Sequence, residues 1–208
     1  APLVILATGG TGGHVFPAEA LAGELAARGY RLALVTDHRG DAFSGVLGDL
    51  ETHRIQAGGI AGKKLIDIIH SGSELAIGLF QARALLRRLV PQLVIGFGGY
   101  ASVPTMLAAG LGGYAAAIHE QNAVLGRANR MLASRVKKIA TCFDDVAGVP
   151  EGMDTKVLCT GMPVRPVVIA CRATHYPELD DDSPLHLLVF GGSQGARVLS
   201  DVVPHAVG

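Results

Sequence analysis

The sequence predicts an α/β fold in which a doubly wound, parallel sheet is covered by helices. Short apolar runs alternate with longer helical patterns along most of the 208 residues, as in chains built from strand–helix–strand units. Glycine-rich segments follow several of the apolar runs, where such folds turn from strand to helix. Apolar residues make up 49% of the chain, which is enough for a sizeable core.

The first unit consists of a strand, a glycine loop, a helix and a second strand. Residues 2–8 form an apolar run that stops at Gly9, and residues 31–36 form the next. Between them, a helical pattern opens at Pro17 and continues to about Arg28, where Gly29 ends it. Further strands are predicted near 51–55, 93–97, 115–119, 138–141 and 156–159, and helices near 72–89, 104–109, 124–133 and 143–147.

Prolines and acidic residues interrupt this alternation at residues 163–184, which hold four prolines and the acidic run 180–182. We predict a linker there. The first domain then spans 1–162. Residues 185–208 form the start of a second α/β domain, with an apolar strand at 185–190 and a helix from about Ala196.

Charge and cysteine content narrow the functional classes. Eighteen basic residues balance eighteen acidic ones, which argues against a general nucleic-acid binder. The three cysteines form no CxxC pair, as is typical of a reducing compartment. Residues 1–8 lack a basic leader, and the nearly uncharged stretch 101–118 contains glycines and a proline. We therefore expect a cytoplasmic protein without a membrane span, although it could touch a membrane surface.

Residues 9–14 are the first candidate site, since they connect a strand end to a helix start. Four glycines let the backbone approach a ligand closely, and amides at a helix N-terminus attract anions. His14 adds a titratable group at the sheet edge where ligands of open α/β folds bind. The alternatives are a tight turn without a ligand and a purely structural histidine.

Two more segments at strand ends are candidate sites. Residues 96–102 form a second glycine loop, which suits either an anion or close packing of strand and helix. Residues 119–122, which read His-Glu-Gln-Asn, suit hydrogen bonds to sugar hydroxyls or an amide. Asn122 is also well placed to cap the helix that is predicted to begin near Val124.

The glycine loop at residues 191–197 follows the strand predicted for the second domain and could hold a nucleotide diphosphate. It lacks the lysine of a nucleotide triphosphatase loop. Neither this loop nor the first has the GxGxxG spacing of dinucleotide-binding folds, so an oxidoreductase is only a weak alternative.

Taken in order, five segments resemble the MurG family of peptidoglycan N-acetylglucosaminyltransferases, which belongs to glycosyltransferase family 28. They are GGTGGHVFPA at 9–18, GFGGYASVP at 96–104, HEQN at 119–122, PVR at 163–165 and GGSQGAR at 191–197. The resemblance is collinear over nearly the whole chain, and a glycine–lysine segment at 61–64 is similar as well. The sequence departs from the family at Met162, where the family usually has asparagine.

The resemblance implies the GT-B architecture, in which a cleft separates two Rossmann-like domains, the first of which binds the acceptor. It implies inverting transfer of N-acetylglucosamine from UDP-N-acetylglucosamine to lipid I, an undecaprenyl-diphosphate muramoyl-pentapeptide, which forms lipid II in peptidoglycan biosynthesis. Neither a metal nor another cofactor is expected, and nucleic acid is not a partner. The protein would act peripherally at the cytoplasmic face of the bacterial inner membrane.

The resemblance also assigns roles by position. His14 is the candidate base for the acceptor hydroxyl, or a group that orients it. The substrate-binding positions that it implies are Thr11, Gly12, Gly13, Gly98, Gly99, Tyr100, Glu120, Asn122, Arg165, Ser193 and Gln194. The first three would lie near the phosphates of donor and acceptor, and Arg165 and Ser193 would contact the donor.

Three questions stay open at this stage. Basic and apolar residues are mixed in one region, at Lys63, Lys64, Leu65, Ile68, Ile69, Leu75, Leu79 and Phe80. These residues could dock on anionic lipid, or they could belong to an amphipathic helix that faces the core. Another nucleotide-sugar enzyme of the GT-B class, or a non-catalytic acceptor-binding fragment, would also fit the sequence. Because the second domain is only begun, we expect this chain alone neither to bind the donor tightly nor to turn over.

Overall fold

The computed structural model describes residues 1–37, 43, 45–58, 65–176, 178, 180, 183–184, 186–191 and 196–207, with side chains for all of these except 65–71. The chain forms two compact units, Ala1–Pro166 and Val167–Gly208.

The first unit is built on a seven-stranded sheet in which every neighbouring pair of strands is parallel. The strands are β1 (Leu3–Ala7), β2 (Arg31–Thr36), β3 (Glu51–Arg54), β4 (Leu93–Gly96), β5 (Ala116–Glu120), β6 (Lys138–Thr141) and β7 (Val157–Cys159). Their order is β3-β2-β1-β4-β5-β6-β7. The direction of strand addition therefore reverses between β1 and β4, whose carboxyl ends form the switch point where such sheets bind ligands. The predicted doubly wound parallel fold is confirmed.

Helices cover both faces of this sheet. They are α1 (Gly12–Ala27), α2 (Gly45–Gly48), α3 (Leu65–Leu89), α4 (Val103–Leu111) and α5 (Arg127–Leu132). In β1, Leu3, Ile5 and Ala7 pack into the core cluster that includes α3, α4 and α5. Val4 and Leu6 pack into the opposite cluster with α1 and α2. Burial on both faces explains why β1 is an uninterrupted apolar run, and each fully buried leucine or isoleucine contributes roughly 1.5–3 kcal/mol of transfer free energy.

Helix α1 begins five residues before Pro17, so the predicted start was wrong. The backbone N–H groups of His14 and Val15 both donate to the carbonyl of Thr11, at 3.0 and 3.2 Å. The helix therefore starts inside the glycine loop, with Thr11 in an extended conformation as its N-cap. Pro17 lies within the helix and is buried, which shows that packing outweighs the hydrogen bond that its missing N–H forfeits.

Helix α5 begins at Arg127 rather than near Val124, and residues 143–147 form no helix; both predictions were wrong for one reason. Val124 forms an isolated parallel bridge with Ala147. The N–H of Leu125 donates to the Ala147 carbonyl at 2.8 Å, and the N–H of Ala147 donates to Ala123 at 2.9 Å. These hydrogen bonds hold both segments extended and exclude a helical turn in either.

The second unit contains helix α7 (Arg197–Val207), which starts one residue after the predicted Ala196. A shorter helix, α6 (Pro166–Ala170), begins at the last residue of the first unit and lies within the predicted linker. The predicted strand at 185–190 was wrong for its described residues, 186–190, which form no strand. Leu188 and Phe190 are 81% and 79% exposed there. A strand requires a hydrogen-bonded neighbour, and the described residues of this unit supply none.

Candidate functional site

A cavity of about 290 Å³ lies at the carboxyl edge of the sheet, beside the ends of β4 and β5. It is lined by His14, Gly98, Gly99, Tyr100, Glu120, Asn122, Gly126, Arg127, Ala128 and Asn129. Six of these are residues that the sequence singled out. Segments that are far apart in sequence meet here because the carboxyl ends of parallel strands share one edge.

His14 is held in the first turn of α1 with a defined protonation pattern. Its Nδ1 lies 2.8 Å from the carbonyl oxygen of Phe97. A carbonyl oxygen only accepts hydrogen bonds, so Nδ1 carries the proton and the neutral ring has its lone pair on Nε2. The Thr8 hydroxyl donates to the backbone carbonyl of His14 at 3.1 Å, which fixes the main chain as well.

The loop after β4 requires glycine because it lies directly against the imidazole. Gly98 has φ +86°, and a Cβ atom there would come within 3.2 Å of the His14 ring. Gly99 has φ +71°, and its Cβ would lie 3.4 Å from Cδ2 of the same ring. The close approach expected of this loop is therefore to His14, and a side chain at either position would disturb that ring.

Glu120 is a buried carboxylate whose two oxygens are both occupied by donors of its own chain. Asn122 donates to Oε1 from its backbone N–H at 3.0 Å and from its side chain at 2.8 Å. The Gly126 N–H and the Asn129 side chain donate to Oε2 at 2.8 and 2.9 Å. Burial by itself would raise the pKa of Glu120, but these hydrogen bonds outweigh it and the pKa lies below its usual value. Glu120 is therefore ionised at neutral pH.

Asn122 does not cap α5, so that expectation was wrong. The N-cap of α5 is Gly126, without a side-chain cap, and Glu120 accepts a hydrogen bond from the Gly126 N–H, which precedes the helix. The side chain of Asn122 is instead held by Glu120 at the wall of the cavity.

The other two residues of the polar run 119–122 lie beneath the cavity. Gln121 donates from Nε2 to the Phe97 carbonyl, which His14 also contacts, at 2.9 Å. The same Nε2 atom of Gln121 lies 3.3 Å from Nδ1 of His119. His119 is 4% exposed. Burial lowers its pKa, against opposing effects of the Gly161 carbonyl and the charge of Glu120. Alternation along β5 thus sends only part of the run toward the cavity.

The remaining predicted residues are distributed as follows. Thr11, Gly12 and Gly13 form the start of α1 but do not line the cavity. The Arg165 guanidinium stacks 3.9 Å from the centre of the Phe16 ring on α1, and one of its nitrogens lies 4.0 Å from Glu19. Ser193 and Gln194 lie outside the described residues, as do Lys63 and Lys64.

Three contributors to the site were not anticipated. Asn129 is 2% exposed and donates to the His119 carbonyl at 3.1 Å as well as to Glu120; a polar residue on the buried face of a helix was its only sequence signal. Arg127 lines the cavity mouth, and nothing in the local pattern distinguishes it from a surface arginine. Phe97 acts through its backbone carbonyl, which no side-chain pattern can reveal.

The described residues were also compared with the requirements of a metal site and of a membrane-spanning helix. No group of three histidine, cysteine, aspartate or glutamate side chains in the described part of the chain is arranged to hold a metal. The described helices include none with the length and apolar character needed to cross a bilayer.

Comparison with known proteins gives consistent matches over this whole chain. A relative from Paramagnetospirillum magneticum is 59% identical over 99% of the chain and 56% of its own length, and one from Rhodospirillum rubrum is 54% identical over 100% and 53%. Both are named UDP-N-acetylglucosamine--N-acetylmuramyl-(pentapeptide) pyrophosphoryl-undecaprenol N-acetylglucosamine transferase. The crystal structure of Acinetobacter baumannii MurG superposes with a TM-score of 0.73 at 28% identity, over 100% of this chain and 57% of that one.

The chain thus spans about half the length of the curated relatives that it matches. The profile of the glycosyltransferase family 28 N-terminal domain matches residues 4–141, from the second residue of β1 to the end of β6. This stretch contains six of the seven strands, except for Leu3 at the start of β1, together with the cavity and the histidine described above. The chain belongs to glycosyltransferase family 28.

Proposed function

We propose that this chain supplies the acceptor-binding half of an inverting N-acetylglucosaminyltransferase that converts lipid I to lipid II with UDP-N-acetylglucosamine as donor. The observation that carries the proposal is the cavity at the switch point of the sheet, where Nδ1 of His14 lies 2.8 Å from the Phe97 carbonyl and the ring lies against the loop of Gly98 and Gly99. Relatives that share about half or more of its residues bear the name of this transferase.

In the proposed reaction, His14 acts as the general base. Nε2 accepts the proton of the acceptor hydroxyl as that oxygen bonds to the anomeric carbon of the donor sugar. The bond from this carbon to the UDP oxygen breaks on the opposite face, so the configuration inverts and UDP leaves with the bonding electron pair. The Phe97 carbonyl stabilises the imidazolium that forms, because it already accepts the Nδ1 proton at 2.8 Å.

Glu120 serves this site as a positioning residue. Its carboxylate has no free acceptor position after four hydrogen bonds, so a role as base or as direct substrate ligand is unfavourable. It holds the Asn122 amide at the cavity wall, where that amide can donate to and accept from a sugar or its acetamido group.

A second candidate is a module that binds the acceptor without catalysis, since the matched N-terminal domain of the family contains the cavity by itself. The glycine loop that carries Ser193 and Gln194 is proposed to contact the donor, but the chain covers only 56% of its Paramagnetospirillum relative. Calorimetric titration of this chain separates the candidates. We expect a soluble lipid I analogue to bind and UDP-N-acetylglucosamine to bind weakly or not at all.

The outcomes of this titration have distinct meanings. Tight donor binding by this chain alone would contradict the proposed division of labour between the two halves. Failure to bind the acceptor analogue, with the protein folded, would contradict acceptor binding and favour another nucleotide-sugar enzyme of the same architecture.

The proposed location is the cytoplasmic face of the inner membrane, where the lipid-linked acceptor lies. Helix α3 supports peripheral contact, since Ile77 and Phe80 are 46% and 73% exposed. The same helix packs Ala82, Leu85 and Leu86 into the core. One face of the helix packs in the core, as the amphipathic alternative predicts, and another presents apolar side chains to the surroundings. Docking of that second face on lipid stays a prediction.

A further inference from the structure

Arg127 stands apart from the other arginines near the cavity. It is exposed and lines the same cavity as His14, Gly98 and Tyr100. In the described part of the chain no carboxylate lies within ion-pair distance of it. Arg130, three residues later, is already engaged, since its Nε donates to the Gly148 carbonyl at 2.9 Å.

The second feature of Arg127 is its positive charge, which can offset the negative charge of Glu120 in the cavity. Among the ten residues that line the cavity, Glu120 and Arg127 are the only ones with a fixed charge at neutral pH. The carboxylate of Glu120 is ionised, and its field would oppose an anionic ligand within several ångströms. Hydrogen bonds from its own chain reduce that field, but only a cation offsets it. Arg127 is the cation in a position to do so.

The guanidinium group of Arg127 indicates which chemical group of a ligand it would bind. An arginine without a protein partner presents a planar set of N–H donors that matches two oxygens of a phosphate or carboxylate. The cavity of about 290 Å³ that Arg127 lines together with His14, Gly98 and Gly99 has room for such a group. A phosphate held there would lie next to the candidate base.

We propose that Arg127 is the anion-binding residue of this cavity and that it contacts a phosphate of the bound ligand. The inference deepens the proposed function, on which it rests for the identification of that phosphate with the diphosphate of the acceptor. Arg127 binds the ligand and takes no part in proton transfer.

Binding of inorganic pyrophosphate to this chain, followed by calorimetry and by NMR, tests the proposal without requiring turnover. We expect Arg127→Gln to weaken binding by about tenfold or more, the loss typical of a hydrogen-bonded charged partner. Arg127→Lys should retain part of the affinity, because it keeps the charge and loses the planar fork. Resonances of the loop at Gly98 and Gly99 should shift on binding to the parent protein.

Lys137→Gln is the matched control. Lys137 is also exposed, but it immediately precedes β6 at the opposite edge of the sheet. This variant removes one positive charge far from the cavity and should change pyrophosphate affinity by less than about twofold. Unchanged thermal unfolding of both glutamine variants establishes that the fold is retained.

Two results would overturn the inference: pyrophosphate affinity that survives Arg127→Gln, or the absence of pyrophosphate binding to the folded parent. Neither depends on the transfer reaction, so they are distinguishable from failure of the proposed function. In a protein that extends this chain to the length of its relatives, Arg127→Gln should raise the KM for the acceptor about tenfold or more and leave kcat within about twofold.

Discussion

At the scale of single residues, the Phe97 carbonyl organises the site. It accepts one hydrogen bond from His14 at 2.8 Å and another from Gln121 at 2.9 Å. Because Nδ1 must donate to it, the histidine has one defined neutral tautomer, with Nε2 available as a base. The oxygen belongs to the residue after β4, so the rigid sheet fixes its position. A loop could not hold the ring with the same precision.

Gly98→Ala tests the contact between the loop and the imidazole. Strain at φ +86° should cost about 1–3 kcal/mol of the free energy of unfolding, and the added Cβ should displace the His14 ring. Gly29→Ala is a matched control, since Gly29 has φ +80° but nothing within 4 Å of its would-be Cβ. Both variants should lose stability in urea denaturation, and only Gly98→Ala should shift the His14 ring resonances. Equal His14 spectra in the two variants would contradict the proposed contact.

The structure brings several of the residues that the sequence singled out to one cavity, while their roles stay predictions. His14, Gly98, Gly99 and Asn122 follow strand ends, and the parallel topology brings strand ends together. Prediction from sequence failed where the decisive atom is in the backbone, as at Phe97, and where a polar side chain turns inward, as at Gln121. No residue pattern indicates the role of the Phe97 carbonyl oxygen or the burial of one side chain within a polar run.

At the scale of elements, the connection between β5 and α5 is organised by one carboxylate. Glu120, the last residue of β5, binds the Asn122 and Gly126 backbone N–H groups and the Asn129 side chain on α5. It thus links the end of β5 to the N-cap residue of α5, which has no side-chain cap. The parallel bridge between Val124 and Ala147 holds the middle of the same connection.

Glu120 should make folding stability depend on pH. Its pKa is lower in the folded than in the unfolded chain, so its stabilisation is complete above the unfolded value. The stabilisation is lost as the pH falls through the folded value, below about pH 4.5. We expect Glu120→Gln to lower the free energy of unfolding at pH 7 and the difference from the parent to shrink as the pH falls below this range. Urea denaturation at a series of pH values measures both proteins.

The measured quantity is the difference in the free energy of unfolding between the parent and Glu120→Gln, because His119 also makes the stability of each protein depend on pH. The pKa of His119 is lowered on folding, so its protonation begins to favour the unfolded chain below about pH 6.5. Both proteins share the part of this loss that burial causes. Only the parent has the charge of Glu120, which raises the pKa of His119, so the loss from His119 is smaller in the parent. A parent-to-variant difference that stays constant from pH 7 to pH 3 would contradict the assigned state of Glu120.

Strands were predicted more closely than helix starts. The bounds of β2 and β6 coincide with the predicted 31–36 and 138–141, because a strand buried on both faces is a plain apolar run. The starts of α1 and α5 were missed by several residues. In α1, packing of Pro17 overrides its usual place at the first turn, and in α5 a bridge to Ala147 delays the helix. Both effects come from tertiary contacts.

At the scale of the whole molecule, the two units differ in how fully they are packed. The first buries apolar clusters on both faces of its sheet. In the second, the described parts of α6 and α7 contain no buried residue, and Leu188 and Phe190 are exposed. The apolar run at 185–190 predicted a strand that its described residues do not form, because pairing depends on neighbouring strands that a local pattern does not supply.

Exposed apolar side chains on α3 should contribute to membrane binding. We expect replacement of Ile77 and Phe80 by serine to reduce co-sedimentation with vesicles that contain anionic phosphatidylglycerol, because less apolar surface enters the interface. Tyr176→Ser is the control, since Tyr176 is 81% exposed in the second unit. Equal sedimentation of the parent and the double variant would remove α3 from the proposed docking surface.

The most direct test of the central claim is transfer of labelled N-acetylglucosamine to a soluble lipid I analogue, in a protein that extends this chain to the length of its relatives. His14→Asn preserves a donor for the Phe97 carbonyl and removes the Nε2 base. If His14 is the general base, kcat should fall by about 10²–10⁴-fold with unchanged thermal stability. A variant that retains the parent's kcat would contradict the role of His14, and a folded parent that transfers no sugar would contradict the proposed reaction itself.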